Sequence, residues 1–425
     1  MNRSLFFTAV LVCSSAFFAH AATPFVAQTT DVQTNEKRQQ VDMDALTRWL
    51  QDKRMISLRE LGGDLSISGE VRTEAQYTNE KKKDQGSSIF ISQRGEGSPL
   101  QKPSLAWDVE FNLMFDYRTD RTWTAVKLEF DNDMGVRSGT VNRIKLEKAY
   151  LGGRLIQGDT FTWDAEIGRR YLINVFDSKV EFGSLFDGVL FRFGKAFQDI
   201  GDFYANLGAF LVDDRFNHYG EALELGALRV MNTGLNFKYS IINWYKPYPA
   251  TEVPQRSRFL VNQFQTYYQF YPEWIGKRFI RVYAAGLINA LAQKVVQTGF
   301  TKQNLGWYAG VTFGVVKKAG DWSVDANYQW VQAQAIPDSD VSGIGRGNAA
   351  GAGLYTTDIG GGGVATTQQN ATGNCNYKGF EIEALYAFTD NLTVLQNLKM
   401  SNTLNTNIGP NLKYKQWELE FIYAF

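Results

Sequence analysis

The segment "LAWDVEFNLMFDYR", residues 105–118, limits what this chain can fold into more than any other. Leu105, Trp107, Val109, Phe111, Leu113, Phe115 and Tyr117 fall at every second position, so an extended backbone puts all seven on one face. Asp108, Glu110, Asn112, Asp116 and Arg118 fall on the other. Seven large apolar residues in one row exceed what the core of a small sandwich needs. The opposite face carries charges and must meet water. A strand with these two faces fits the wall of a transmembrane β-barrel, with lipid outside and an aqueous lumen inside.

The same alternation recurs along the chain. "LSISGEVRTEAQY" puts Leu65, Ile67, Val71 and Tyr77 on one face and Ser66, Ser68, Glu70, Arg72, Glu74 and Gln76 on the other. Strands are expected near 64–77, 104–118, 121–131, 142–154, 160–170, 187–195, 202–212, 221–230, 233–243, 258–271, 278–290, 304–316, 322–334, 376–388, 392–402 and 411–425. That is sixteen. Short links such as "TDR", "KKAGD" and "TDN" alternate with long ones such as 78–103, 171–186 and 335–375. Short turns at one rim and long loops at the other match outer-membrane barrels. An even strand count brings the last strand back beside the first. Closure is required, because no backbone group can stay unpaired in hydrocarbon. The expected fold is therefore all-β: a closed antiparallel transmembrane β-barrel of about 16 strands over 64–425.

Two segments precede the barrel. Residues 1–21 read as a secretory signal, with Arg3, an apolar run from Leu5 to Val12 and an Ala19-His20-Ala21 cleavage site. Residues 22–63 read as a periplasmic leader carrying one helix over 42–61. Asp42 or Asp44 would cap it, Leu46, Trp49, Leu50 and Ile56 would form its apolar stripe, and Gly62-Gly63 would end it. The helix is expected at the periplasmic rim, with a pore plug or an oligomerisation helix as the alternatives. Export and an outer-membrane location follow from these readings.

The last residues, "ELEFIYAF", follow the barrel rule. Trp417, Leu419, Phe421, Tyr423 and Phe425 share the apolar face. Tyr423 and Phe425 are expected in the periplasmic aromatic girdle and Trp417 near the outer one. Trp107 and Phe111 are expected against lipid.

No basic excess points to a nucleic-acid partner, and none is expected. The chain has 44 basic and 44 acidic residues, and losing Arg3 leaves the mature protein one charge from neutrality. Once the signal is removed only Cys375 and His218 remain of their kinds, so no internal disulfide can form, and a histidine-based triad would have to use His218, expected in the loop after the seventh strand. "DNDMG" at 131–135 lacks the distal Glu of a calcium loop and reads as a solvated turn. "GIGRGNAAGAG" at 343–353 has neither the strand nor the helix of a nucleotide site and reads as an external loop. No cofactor and no metal is expected.

With size, strand number and terminal Phe425 in view, the chain resembles the general diffusion porins of Gram-negative outer membranes. The segment "AEIGRRYLINVFDSKVEFGSLFDGVLFRF", 165–193, is similar to the porin region in which a Gly-Arg pair ends the fifth strand. Gly168-Arg169-Arg170 and Asp187-Gly188 hold the matching places. The resemblance implies that the third long loop folds into the lumen, carrying Asp177, Lys179 and Glu181. Alternation places Arg72, Arg118, Lys127, Glu166 and Arg170 on the inner wall, where they resemble the wall charges of general porins. Loop acids opposed to wall cations would set a transverse field across the constriction. The resemblance also implies outer-membrane lipid and the barrel-insertion machinery as partners, with a homotrimer allowed, and a terminal Phe is similar to the insertion signature of such proteins.

The function expected from these readings is passive diffusion of small hydrophilic solutes and ions, without catalysis. Two other readings stay open at this point: a surface barrel that displays the 335–375 loop, and an enzyme housed in the lumen.

Overall fold

Alternating faces give extended chain throughout, and the computed structural model contains sixteen long strands. It describes residues 56–60, 63–84, 87–90, 104–134, 143–213, 218–245, 259–292, 294–295, 298–337, 340–342, 344, 375–407 and 411–425. The strands are β1 (Gly63–Asp84), β2 (Ser104–Arg118), β3 (Thr122–Asp133), β4 (Arg143–Gln157), β5 (Phe161–Tyr171), β6 (Leu185–Phe197), β7 (Gly201–Asp213) and β8 (His218–Leu228). They continue with β9 (Leu235–Tyr245), β10 (Phe259–Phe270), β11 (Ile280–Asn289), β12 (Leu305–Gly314), β13 (Trp322–Val331), β14 (Tyr377–Ala387), β15 (Leu392–Thr403) and β16 (Asn411–Ala424). Each pairs antiparallel with the next. β16 returns to β1, in register from Glu70↔Ala424 to Lys83↔Asn411. The sheet is closed and both edges vanish.

The signal, the leader and residues 42–55 of the expected helix lie outside the described residues. The end of that helix is corrected. Ile56–Glu60 is a short strand paired with β1, from Ile56↔Ile67 to Glu60↔Gly63. Ile56 and Leu58 alternate with Ser57 and Arg59, a two-residue period that a hairpin uses better than a helix. His218 is also relocated, from the preceding loop to the first position of β8.

The outer face carries the apolar rows, with Leu105, Trp107, Phe264, Trp307 and Phe421 all exposed. The inner face is divided. On β1–β5 and β14–β16 it is mostly polar and charged. On β6–β12 it includes buried Phe186, Leu190, Phe210, Ile242, Trp244 and Tyr308. These make an apolar core inside the barrel, completed by residues of the loop between β5 and β6.

The seam shows why a glycine is needed in β1. Gly69 and Phe425 exchange both backbone hydrogen bonds, at 3.0 and 2.9 Å. The Phe425 ring then lies over Gly69 and stacks on Phe111, with centroids 6.4 Å apart. A Cβ at Gly69 would sit 2.7 Å from Phe425 Cζ and 3.0 Å from the Asn112 carbonyl. Gly69→Leu should therefore displace the ring and cost roughly 1–3 kcal/mol. Urea unfolding in detergent micelles measures this, and an unchanged midpoint would remove the ring from the account of closure.

Candidate functional site

The loop 172–184 is positioned by its own sequence. Leu172–Asn174 forms a 3-10 turn directly after β5. Leu172 N–H donates to the Ser184 carbonyl at 2.9 Å, closing the loop at its base. Its apolar residues Leu172, Val175, Phe176, Val180 and Phe182 have no lipid to meet and turn to the inner wall, where all are buried. Phe176 and Phe182 pack at 5.3 Å, and Phe176 reaches the surface over Gly208 on β7.

Polar contacts then carry the loop across half the barrel. Asn206 on β7 donates to the Val175 carbonyl. Glu224 on β8 accepts from Asp177 N–H at 3.0 Å and from the Tyr204 hydroxyl at 2.7 Å. Lys238 on β9 pairs with the Asp177 carboxylate at 3.3 Å. Gln263 on β10 donates to the Asp177 carbonyl and accepts from the Ser178 hydroxyl. Lys179 reaches Asp325 on β13, eight strands on from β5, at 3.1 Å. Asp325 is itself held by Tyr283 and Thr312.

A second segment meets the loop inside the barrel. Asp340 accepts from the N–H groups of Phe182 and Ser184 at 3.2 and 3.1 Å. Ser342 donates from its N–H to the Val180 carbonyl and from its hydroxyl to the Glu181 carbonyl. Glu181 is buried there. Burial pushes its carboxyl well above the usual carboxylate range, and Asp340 pushes the same way. A carboxyl that holds its proton more tightly when docked favours docking at low pH. That advantage is lost as pH rises from the ordinary Glu value of about 4.3 toward the raised one. Loop docking should weaken with rising pH, and Glu181→Gln should flatten the dependence. Proteolysis of the loop at a series of pH values reads this, and an equal slope in the variant would exclude Glu181 as the titrating group.

The opposite wall uses its charges among themselves. Arg72 donates to Glu70 at 2.8 Å and stands 3.9 Å from Glu110. Lys127 pairs with Glu147. Arg170 pairs with Glu166 at 2.6 Å and lies 3.5 Å over the Tyr150 ring. Trp123 and Arg192 complete the surround of Glu166. Arg118 is exposed at the end of β2 beside the short 119–121 turn, opposite Trp123 of β3 in register.

In direct contact, the loop's charges engage the wall on which the loop docks and not the arginines expected to oppose them. Asp177 and Lys179 engage β9 and β13, and Glu181 is enclosed against the 340–342 segment. The loop's apolar side chains demand burial, and they take its charges toward that wall with them. Sequence reasoning missed the anchors Glu224, Lys238 and Asp325. A signal was present: each is the one charged residue on the inner face of its strand.

The two motif pieces meet directly. Gly168 faces Gly188, and Arg169 faces Asp187, across β5 and β6. Arg169 points outward to a two-pronged pair with Asp187, both bonds 2.7 Å, and Arg170 points inward. Gly168 has φ +138°, and a Cβ there would lie 2.2 Å from the Ala149 carbonyl. Only glycine lets β5 bend beside Tyr150 where Arg170 stacks.

On the outer face, Trp107, Trp417, Tyr423 and Phe425 are exposed and Phe111 is partly so.

Among solved structures, the chain is similar to OprB of Pseudomonas putida, with 11% identity, a TM-score of 0.50, and coverage of 85% of this chain and 94% of that one. The fold is porin-like. A triple mutant of the Rhodopseudomonas blastica porin aligns at 10% identity and a TM-score of 0.42, covering 85% of this chain and all of that one. No family model and no curated protein matches the sequence.

Proposed function

We propose that the protein is an outer-membrane channel through which small hydrophilic solutes and ions diffuse passively. One observation carries this reading: a loop is docked along one side of a sixteen-strand barrel, while on the wall opposite Arg72, Glu110 and Lys127 keep partial solvent exposure. A barrel of this size is wide enough for an aqueous lumen, and an inward loop narrows it. Arg72, Lys127, Glu166 and Arg170 belong to the wall of the passage, with Arg118 at its short-turn mouth. Asp177, Lys179 and Glu181 hold the narrowing loop in place. Trp107, Phe111, Trp417, Tyr423 and Phe425 meet lipid.

Carboxylates dominate the open wall. A cavity of about 180 Å³ there is lined by Glu74, Asp108, Glu110, Asp131 and Glu420 around the one cation Arg72. A lumen of this sign favours cations, because low-dielectric surroundings strengthen the attraction.

The test is reconstitution in a planar bilayer under a salt gradient. Discrete conductance steps with a cation-selective reversal potential are expected. Glu110→Lys combined with Asp131→Lys should move that potential toward anions. A purified, folded barrel that conducts nothing would overturn the channel reading.

A further inference from the structure

We propose that the barrel seam holds a divalent cation of the calcium class between Glu74 on β1 and Glu418 and Glu420 on β16. One carboxylate oxygen from each lies within 4.8 Å of the other two. Oxygens on a shared calcium ion, at 2.3–2.6 Å each, span at most about 5 Å, so the ion fits this spread. The donors are all hard oxygens, which selects a hard cation over a transition metal.

The pairing around the seam sharpens the case. Glu74 stands directly opposite Glu420 on one side and opposite Asp108 on the other. Like charges in register destabilise a sheet. The cavity that this row lines holds five carboxylates against the single guanidinium of Arg72, which itself donates to Glu70.

Glu420 supplies the independent observation. Its residue is 9% exposed, and its Oε2 is buried and accepts no hydrogen bond. The side chain lines the acidic cavity rather than an apolar one. A buried carboxylate oxygen without a partner costs free energy unless something positive meets it. Glu418 is oriented for the same point by Gln416 and Gln76, which donate to its Oε2 at 2.8 and 3.3 Å. The other oxygen of Glu418 remains for the ion. Water from the lumen would complete the six to eight ligands that calcium takes.

An ion here ties the first strand to the last across the line of closure. The test uses the purified, folded barrel in detergent and does not depend on conductance, so it stands apart from the channel reading. Calorimetric titration with calcium chloride, against sodium chloride of matched ionic strength, should show saturable binding. The thermal unfolding midpoint should rise with calcium. Glu420→Gln should weaken binding more than about tenfold, since ligand charge count sets calcium affinity. Glu418→Gln with Glu420→Gln should abolish the thermal shift while circular dichroism still reports β-sheet. No heat of binding in the unaltered protein would overturn the proposal. So would an undiminished thermal shift in the folded double variant.

Discussion

Phe176→Asp should release the 172–184 loop from the wall and raise single-channel conductance above that of the unaltered protein. Phe176 is 1% exposed and packs on Phe182 at 5.3 Å. Burying such a ring is worth roughly 1.5–3 kcal/mol, and a carboxylate put in its place adds an unpaired buried charge costing several more. The loop's polar anchors, among them Asp177 with Lys238 and Lys179 with Asp325, do not offset this, because each contributes only about 1 kcal/mol net, or somewhat more where a charge is involved. Phe176→Leu keeps the site apolar and should leave conductance near its original value. If the Asp variant conducts like the unaltered barrel while protease reaches the loop, the loop is not what narrows the passage.

The second large effect is expected on the outside. Phe111 is the central residue of the fifteen-residue β2 and touches the rings of Phe130 and Phe425. Phe111→Arg should destabilise the barrel in a bilayer, by up to roughly 2–4 kcal/mol, the cost of an arginine facing lipid, which falls toward the interfaces. Unfolding by denaturant in lipid vesicles gives the number. Cysteines at 110 and 111 provide a second reading, since Glu110 faces the lumen. An aqueous thiol reagent should label position 110 faster, and equal rates would mean that the faces are misassigned.

The sixteen strands were legible because their two faces meet different solvents. A row such as Leu105 to Tyr117 has to alternate, and each expected strand overlaps an observed one with ends shifted by a few residues. Closure followed from the even count. The apolar inner wall was not legible. On β9, "LNFKYSIINWY" is apolar on both faces toward its end, so alternation cannot tell Ile241, outside, from Ile242, inside. That wall is apolar because a loop covers it, and the cover comes from another part of the chain. The contact partners of the loop's charges were not legible for the same reason. Asp177 and Lys179 looked free in the sequence, whereas their partners Lys238 and Asp325 lie far along it. The strand at Ile56–Glu60 is too short for its period to declare itself against a helix.

The docked loop also sets an order of events. It leaves the barrel after β5, yet its anchors lie on β7 through β13, and Ser342 follows Glu181 by 161 residues. None of these surfaces exists while only the first strands have paired. The loop cannot seat until most of the wall has been built, so a wide bore comes before a narrow one. On the channel reading proposed above, a barrel whose later strands are slow to join would leak before it filters, and the interval between closure and seating would be a hazard to the cell that makes it.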